Sequence, residues 1–206
     1  MKVKVCGMTD VKNLKEILVH KPDFVGFIFY EKSPRNIVDE QVLRQEMQHT
    51  RKVGVFVNED ADTVINLANA YQLDHVQLHG DESPMYCQSL KMANVSVIKA
   101  FSVSEGFDFR ALKAYTPFVD YFLFDAKGAK RGGNGMKFDW SILSNYELST
   151  PFFLSGGISE QDIEEVKLLD HPQLYAVDVN SSFEMSPGIK DAKKVKTFID
   201  QLSNQL

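Results

Sequence analysis

The chain has 206 residues, of which 44% are apolar and 25% charged, enough for one substantial core and too few to require two domains. Its net charge of −5 argues against sequence-independent binding of nucleic acid, because that function needs a surface dense in Lys and Arg. The two cysteines lack disulfide or zinc-site spacing, and no apolar run suits a signal segment or membrane span, so we expect a soluble cytoplasmic protein without metal.

Eight short apolar runs rich in Val, Ile and Phe predict strands. They are residues 3–6, 24–29, 53–57, 75–78, 95–100, 121–124, 152–154 and 174–179. Strands that are apolar throughout are typical of parallel sheets covered on both faces. The sequence therefore predicts an α/β fold, a single-domain (β/α)8 TIM barrel over residues 1–206, with an open doubly wound sheet as the alternative.

Segments with helical spacing lie between these runs, for example residues 64–71 and 192–202. Candidate N-terminal caps precede several of them, since short polar side chains can accept hydrogen bonds from free backbone N–H groups. These caps are Thr9 or Asp10, Ser159 with Asp162, and Asp191.

Cys6 ends the first predicted strand, and alternation places it with Lys4 on the face opposite Val3 and Val5. We expect it at the mouth of the barrel, where a positive neighbour can turn a thiol with an ordinary pKa of about 8.5 into a base. A small buried hydrophobic residue is the alternative interpretation. Lys4 is expected to pair with Asp178 on the neighbouring eighth strand, either as a structural ion pair or as support for a Cys6 thiolate.

Polar side chains also mark the second loop, the fourth strand and Asp178 of the eighth strand as candidate substrate contacts. Arg35 has the forked guanidinium that holds a carboxylate by two parallel hydrogen bonds, although most loop arginines are simply solvated. Gln77 and His79 share an inward face with His75 and are expected either to contact substrate or to be satisfied core groups.

Asp125 ends the apolar run YFLF, where desolvation can raise the pKa of a carboxyl until it serves as a general acid. Capping of the next loop is the other interpretation. That loop is long and contains Gly132, Gly133 and Gly135, and long loops at a barrel mouth commonly carry function.

The loops after strands seven and eight predict a phosphate site. Gly156 and Gly157 follow strand seven, and glycines let backbone N–H groups approach a phosphate closely. Ser181 and Ser182 follow strand eight, and many barrels bind phosphate with these two loops. A tight turn is the alternative for the glycine pair.

The chain resembles the phosphoribosylanthranilate isomerase family through an ordered series of blocks over nearly its whole length. These are KVCGMT, DFVGFIFYEKSPRNI, VGVFVN, VQLHGDE, FLFDAKG, GGNGMKFDW, LSGGIS and DVNSSFEMSPGIKD. The resemblance implies that Cys6 is the general base, Asp125 the general acid and Arg35 the contact for the anthranilate carboxylate. The loops after strands seven and eight would then bind the substrate phosphate.

The reaction implied by the resemblance is an Amadori rearrangement of N-(5′-phosphoribosyl)anthranilate. Acid-assisted ring opening gives an iminium at C1′, and removal of the C2′ proton leads to 1-(o-carboxyphenylamino)-1-deoxyribulose 5-phosphate. The iminium is the electron sink, so the resemblance implies a cofactor-independent isomerase of tryptophan biosynthesis acting on a small phosphosugar. The oligomeric state stays open.

Three positions depart from the family pattern. Asn134 stands in GGNG where the family often has Thr, and Asn180 and Ser182 replace a usual Ser and Gly in DVNSSFE. Backbone contact with phosphate at Ser182 is therefore less expected, while Ser and Asn side chains can donate hydrogen bonds instead.

Two other functions compete with this hypothesis. Another phosphate-binding barrel enzyme, such as indole-3-glycerol-phosphate synthase, would need more acidic and ammonium groups at the mouth. A catalytically silent phosphosugar-binding barrel would keep the phosphate loops but tolerate loss of Cys6 or Asp125, and both are present.

Overall fold

The computed structural model describes residues 1–126 and 138–203, and its eight parallel strands close into a barrel in chain order. The strands are β1 Lys2–Val5, β2 Phe24–Ile28, β3 Arg51–Phe56, β4 His75–Leu78, β5 Val97–Val103, β6 Tyr121–Ala126, β7 Phe152–Leu154 and β8 Leu174–Val179. Strand β1 pairs with both β2 and β8, which closes the ring. The barrel is confirmed and the open-sheet alternative is wrong.

The connecting segments contain α-helices and shorter 3-10 helices. The α-helices are α1 Val11–Leu18, α2 Ala61–Tyr71, α3 Pro84–Met92, α4 Ile163–Leu168 and α5 Ala192–Ser203. Between β5 and β6 the chain forms only 3-10 helices, Phe109–Ala114 and Thr116–Phe118. Within the described ranges, no helix has the length and apolar character needed to cross a membrane.

Side-chain caps fix where several helices begin, as expected from the sequence. Asp10 accepts a hydrogen bond from the Asn13 backbone N–H at 2.7 Å. Asp162 accepts from the Ser159 backbone N–H at 2.7 Å. Asp191 accepts from the first turn of α5 at 3.0 and 3.2 Å. These bonds satisfy N–H groups that have no partner inside the helix.

The core has two parts, an outer layer between the strands and the helices and a smaller cluster inside the barrel. Val3 and Val5 face outward and pack in the larger layer between strands and helices. The lower interior is filled by a smaller cluster, Phe24, Val53, Ile98, Ala100, Leu123, Phe153 and Ala176. The interior is therefore a packed core rather than a pore.

The loop after β8 carries a small hairpin that the strand pattern does not predict. Its strands are β9 Glu184–Ser186 and β10 Ile189–Lys190, paired antiparallel. Gly188 at φ 86° lies in the turn between them, a backbone conformation that favours glycine. The hairpin brings two charged residues beside the mouth of the barrel.

Candidate active site

A cleft of about 620 Å³ opens at the C-terminal ends of the barrel strands. It is lined by every site residue predicted from the sequence: Cys6, Arg35, Gln77, His79, Asp125, Gly156, Gly157, Asp178, Ser181 and Ser182. His75, which shares a face with Gln77, lies deeper, where it hydrogen-bonds Ser96 Oγ at 2.7 Å and packs against Phe24. The structure therefore gathers the predicted residues and leaves His75 as a satisfied core group.

Cys6 follows β1 and is buried at the floor of the cleft. Its backbone N–H donates to the Val179 carbonyl at 2.9 Å, which anchors it to β8. Gly26 on β2 leaves the space that the thiol occupies, because a Cβ there would lie 2.6 Å from Sγ. The missing side chain at Gly26 is thus what allows Cys6 to point into the barrel.

Lys4 lies below Cys6 and makes the pair expected with Asp178. Lys4 Nζ donates to Asp178 Oδ2 at 2.8 Å, and both side chains are buried. Burial opposes the ammonium, but Asp178 and the Cys6 thiol together raise the pKa of Lys4. Burial also raises the pKa of Asp178, against the opposing effect of Lys4. The raised pKa of Lys4 favours a charged lysine, whereas the raised pKa of Asp178 favours a neutral carboxyl group. The 2.8 Å contact between them supports the pair in which both groups are ionised.

Burial raises the pKa of the Cys6 thiol above its ordinary value. Lys4 and Lys190 act in the opposite direction, while Asp178 adds to the increase. The positive neighbour expected from the sequence is therefore present, but its effect on the pKa of Cys6 does not outweigh that of desolvation. A thiol with a raised pKa is a stronger base once it is ionised.

Asp125 and His79 lie in contact with each other and line the cleft together with Cys6. Asp125 Oδ2 lies 3.3 Å from His79 Nε2, and Oδ1 accepts from the Ala126 N–H at 3.0 Å. Gln77 Nε2 lies 3.0 Å from His79 Nδ1, and in this arrangement the amide donates to the ring. The imidazole proton is then on Nε2, where it faces the Asp125 carboxyl.

Arg35 is held by a carboxylate of its own chain. Its Nε and Nη2 donate to the two carboxylate oxygens of Glu184 at 2.8 and 2.7 Å. The Glu184 hydrogen bond raises the pKa of Arg35. Within the described residues the guanidinium makes no other hydrogen bond, so its Nη1 donors are unused in a side chain that lines the cleft.

Three further residues belong to the surroundings of the cleft. The sequence alone assigns no role to Glu184 or Lys190, and it marks Asn180 only by its departure from the family pattern. Lys190 is completely buried, and its Nζ donates to Glu184 Oε1 and to Asn180 Oδ1, each at 2.6 Å. Burial opposes the Glu184 carboxylate, but Arg35 and Lys190 lower its pKa overall. The opposite charges of Glu184 and Lys190 on either side of Gly188 are the sequence signal that could have indicated a buried ion pair.

The predicted phosphate loops lie side by side at the rim. Gly156 and Gly157 adopt φ values of 94° and 69°, and a Cβ at Gly156 would lie 2.4 Å from the Ala126 nitrogen. Ser181 and Ser182 begin a single 3-10 turn, Ser181–Phe183. The predicted sixth-loop glycines and Asn134 lie outside the described residues. Across residues 1–126 and 138–203, no group of three His, Cys, Asp or Glu side chains is placed to hold a metal ion.

Comparison with known proteins identifies the family. The family model described as N-(5′-phosphoribosyl)anthranilate (PRA) isomerase matches residues 3–201. The chain belongs to this family. The isomerase of that name from Parabacteroides distasonis is 43% identical over 206 residues, 98% of this chain and 93% of the relative. That from Phocaeicola vulgatus is 39% identical, with both chains fully covered.

Solved PRA isomerases have the same architecture. The Thermotoga maritima enzyme is 33% identical, with a TM-score of 0.86 and 98% of each chain covered. A PRA isomerase solved with reduced 1-(o-carboxyphenylamino)-1-deoxyribulose 5-phosphate is 32% identical, with a TM-score of 0.83 and 98% of each chain covered. The family resemblance carried by the sequence blocks is confirmed over the whole barrel.

Proposed function

We propose that the protein isomerises N-(5′-phosphoribosyl)anthranilate to 1-(o-carboxyphenylamino)-1-deoxyribulose 5-phosphate, a step of tryptophan biosynthesis. Family membership supports the reaction, and a relative has been solved with the reduced form of this product. The observation that carries the mechanism is that Cys6 and Asp125, from β1 and β6, line one cleft. They are positioned to approach a bound sugar from different sides.

The cleft offers a complementary group for each part of this substrate. The glycine loop after β7 and the serine turn after β8 suit the phosphate. The Nη1 edge of Arg35 suits the anthranilate carboxylate. Gln77 Oε1 and Asp178 Oδ1 are buried acceptors without a partner among the described residues, so they suit donating sugar hydroxyls.

Asp125 acts first, as the acid. Its proton goes to the ribose ring oxygen while the C1′–O bond breaks, and the nitrogen lone pair forms the C1′ iminium. The carboxylate left behind accepts a hydrogen bond from the Ala126 N–H, and its other oxygen lies 3.3 Å from His79 Nε2. These donors stabilise the charge that develops on Asp125, as preorganised donors do in other acid–base sites.

Cys6 then acts as the base. Its thiolate takes the C2′ proton, and the C–H electrons form the C1′–C2′ double bond while the iminium nitrogen becomes neutral. The enolamine gains a proton at C1′ and loses the C2′ hydroxyl proton to give the ketone. The iminium is the electron sink, so the route needs no metal or organic cofactor. Its positive charge also favours the thiolate in the substrate complex.

We also propose that the protein works in the cytoplasm as a single domain over residues 1–206. Both cysteines are free and buried, which suits a reducing compartment. The competing functions are less well supported, because the matching family and the curated relatives are PRA isomerases.

Turnover of freshly generated phosphoribosylanthranilate tests the proposal. Wild-type protein should convert the substrate, and Cys6→Ala and Asp125→Asn should each lose about 10²- to 10⁴-fold in kcat, the usual size of a general acid–base contribution. Wild-type protein that binds the substrate without turnover would support the silent binding barrel. Wild-type rates in both variants would leave the reaction standing and contradict the assigned roles.

A further inference from the structure

Lys190 is a buried cation that no step of the proposed mechanism uses. It is 0% exposed, and Asn13 of α1 fixes its backbone through hydrogen bonds of 2.8 and 2.7 Å to the carbonyl and N–H. Its ammonium reaches Glu184 and Asn180, both at 2.6 Å. A buried charge held from so many sides has a fixed position relative to the cleft.

The charges around Cys6 do not cancel, and Lys190 is the reason. Below the thiol, Lys4 is balanced by Asp178. Arg35 and Lys190 share the single carboxylate of Glu184. This group lies beside Gly7, the residue after Cys6, because a Cβ on Gly7 would lie 2.8 Å from Arg35 Cδ and 2.9 Å from Asn180 Oδ1, the atom that accepts from Lys190. The first pair is neutral, while the second group carries one net positive charge.

We propose that Lys190 is a positioning residue for the catalytic thiol: its ammonium favours the Cys6 thiolate, and its hydrogen bond orients Asn180 at the rim of the cleft. This inference rests on the proposed role of Cys6 as base. Because a lysine ammonium only donates, Asn180 must turn its oxygen toward Lys190, which leaves its Nδ2 donors for the cleft that Asn180 lines.

The coupling between the two groups is mutual. Burial raises the pKa of Cys6 and Lys190 opposes that increase, while burial lowers the pKa of Lys190 and the Cys6 thiolate opposes that decrease. The other groups that face this region are Lys4 and Asp178 from β1 and β8, Glu184 from β9, and Arg35 from the loop after β2. Asp125 and His79 also line the cleft. The net positive charge of the Arg35–Glu184–Lys190 group distinguishes it from the neutral Lys4–Asp178 pair.

The test is the pH dependence of Cys6 alkylation by iodoacetamide, read peptide by peptide so that Cys87 is scored separately. Lys190→Met removes the charge and the hydrogen bonds, whereas Lys190→Gln removes the charge and keeps a donor for Asn180 and Glu184. Both should move the Cys6 midpoint upward by about one pH unit, the lower end of the effect of a nearby opposite charge. The kcat loss should shrink as the pH rises, because the thiolate is then restored.

Lys99→Met is the matched control. Lys99 is equally buried and pairs with Glu82 at 3.0 Å, but its charge lowers the pKa of Cys87 rather than that of Cys6. It should leave the Cys6 midpoint unchanged. An unchanged midpoint in both Lys190 variants, with only lower stability or a higher KM, would overturn the inference and make Lys190 purely structural.

A reciprocal measurement covers the case in which neither Lys190 variant folds. In Cys6→Ser, the Lys190 amine should titrate at lower pH than in wild type by NMR, because coupling between two sites is reciprocal. An unshifted amine would contradict the proposal. If the midpoints shift as expected but Cys6→Ala keeps full turnover, the coupling is right and the base role of Cys6 is wrong, so the two failures are distinguishable.

Discussion

Arg35 and Glu184, 149 residues apart in the chain, are joined by two parallel hydrogen bonds of 2.8 and 2.7 Å. The pair ties the loop after β2 to the hairpin after β8, and these are the two strands that flank β1, which Cys6 follows. A charge-assisted bidentate contact is both strong and directional, so it fixes the orientation of the guanidinium before a ligand arrives. Arg35 therefore offers the substrate one edge of its fork rather than both.

This contact predicts a loss of stability in acid. The pKa of Glu184 is lowered from an ordinary value of 4.5 in the folded state, so its contribution is present above about that pH and is lost as the pH falls through the lower folded value. Urea unfolding of Glu184→Gln should show lower stability than wild type at neutral pH and a smaller loss on acidification. Glu164→Gln is the control, since that side chain is 81% exposed and should change neither. Parallel acid-side curves for wild type and Glu184→Gln would contradict the assignment.

The space at Gly26 predicts a specific effect on Cys6. In Gly26→Ala the new Cβ would lie 2.6 Å from Sγ and 3.1 Å from the Cys6 Cα, so the thiol must shift. We expect kcat to fall by about 10²-fold, the effect of a misplacement near 1 Å. Gly54→Ala is the control, because its Cβ would meet Leu73 and Phe56 in the outer layer instead. It should lower stability without moving kcat, and equal kcat losses in the two variants would rule out a local effect on the thiol.

The pair between His79 and Asp125 predicts a defect confined to the acid step. His79→Ala removes the donor that faces Asp125 Oδ2 at 3.3 Å. We expect kcat to fall by about ten- to a hundredfold, less than for Asp125→Asn, because one hydrogen bond to a charged group contributes about 1.5–3 kcal/mol. Steady-state kinetics and product-analogue binding check this. A variant that loses only affinity would assign His79 to substrate binding alone.

Removal of Lys4 predicts two separable effects. Lys4→Met should move the Cys6 alkylation midpoint upward, because Lys4 is the strongest group opposing the effect of burial on that thiol. It should also destabilise the protein by about 3–5 kcal/mol, since Asp178 is left buried without its partner. Lys4→Met combined with Asp178→Leu should recover much of that stability. An unmoved midpoint in Lys4→Met would make the Lys4–Asp178 pair purely structural.

The barrel was predictable from the sequence because its signals are local. A parallel strand buried on both faces is a short apolar run, and all eight runs correspond to strands. The fifth is displaced: residues 95–100 were expected, whereas β5 is Val97–Val103, since the chain pairs with β6 as far as Ala126. Neighbouring strands, rather than composition, set where a strand ends.

The site was predictable only in part, because only some of its residues carry a local signal in the sequence. Cys6, Asp125 and Gly156 lie at or just beyond the C-terminal ends of β1, β6 and β7, so the fold alone brings them to the mouth. Glu184 and Lys190 lie on a hairpin without strand periodicity, and what makes them important is burial against Arg35 and Asn180. Such long-range charge pairing leaves no pattern in the residues beside them.

Isotopic substitution at C2′ of the substrate tests the division of labour between Cys6 and Asp125 most directly. In Cys6→Ser, a weaker base makes proton removal rate-limiting, so deuterium at C2′ should lower kcat by a primary isotope effect. In Asp125→Asn, ring opening should limit the rate and the deuterium should have little effect. Equal isotope effects in the two variants, or a Cys6→Ser enzyme as fast as wild type, would contradict the account.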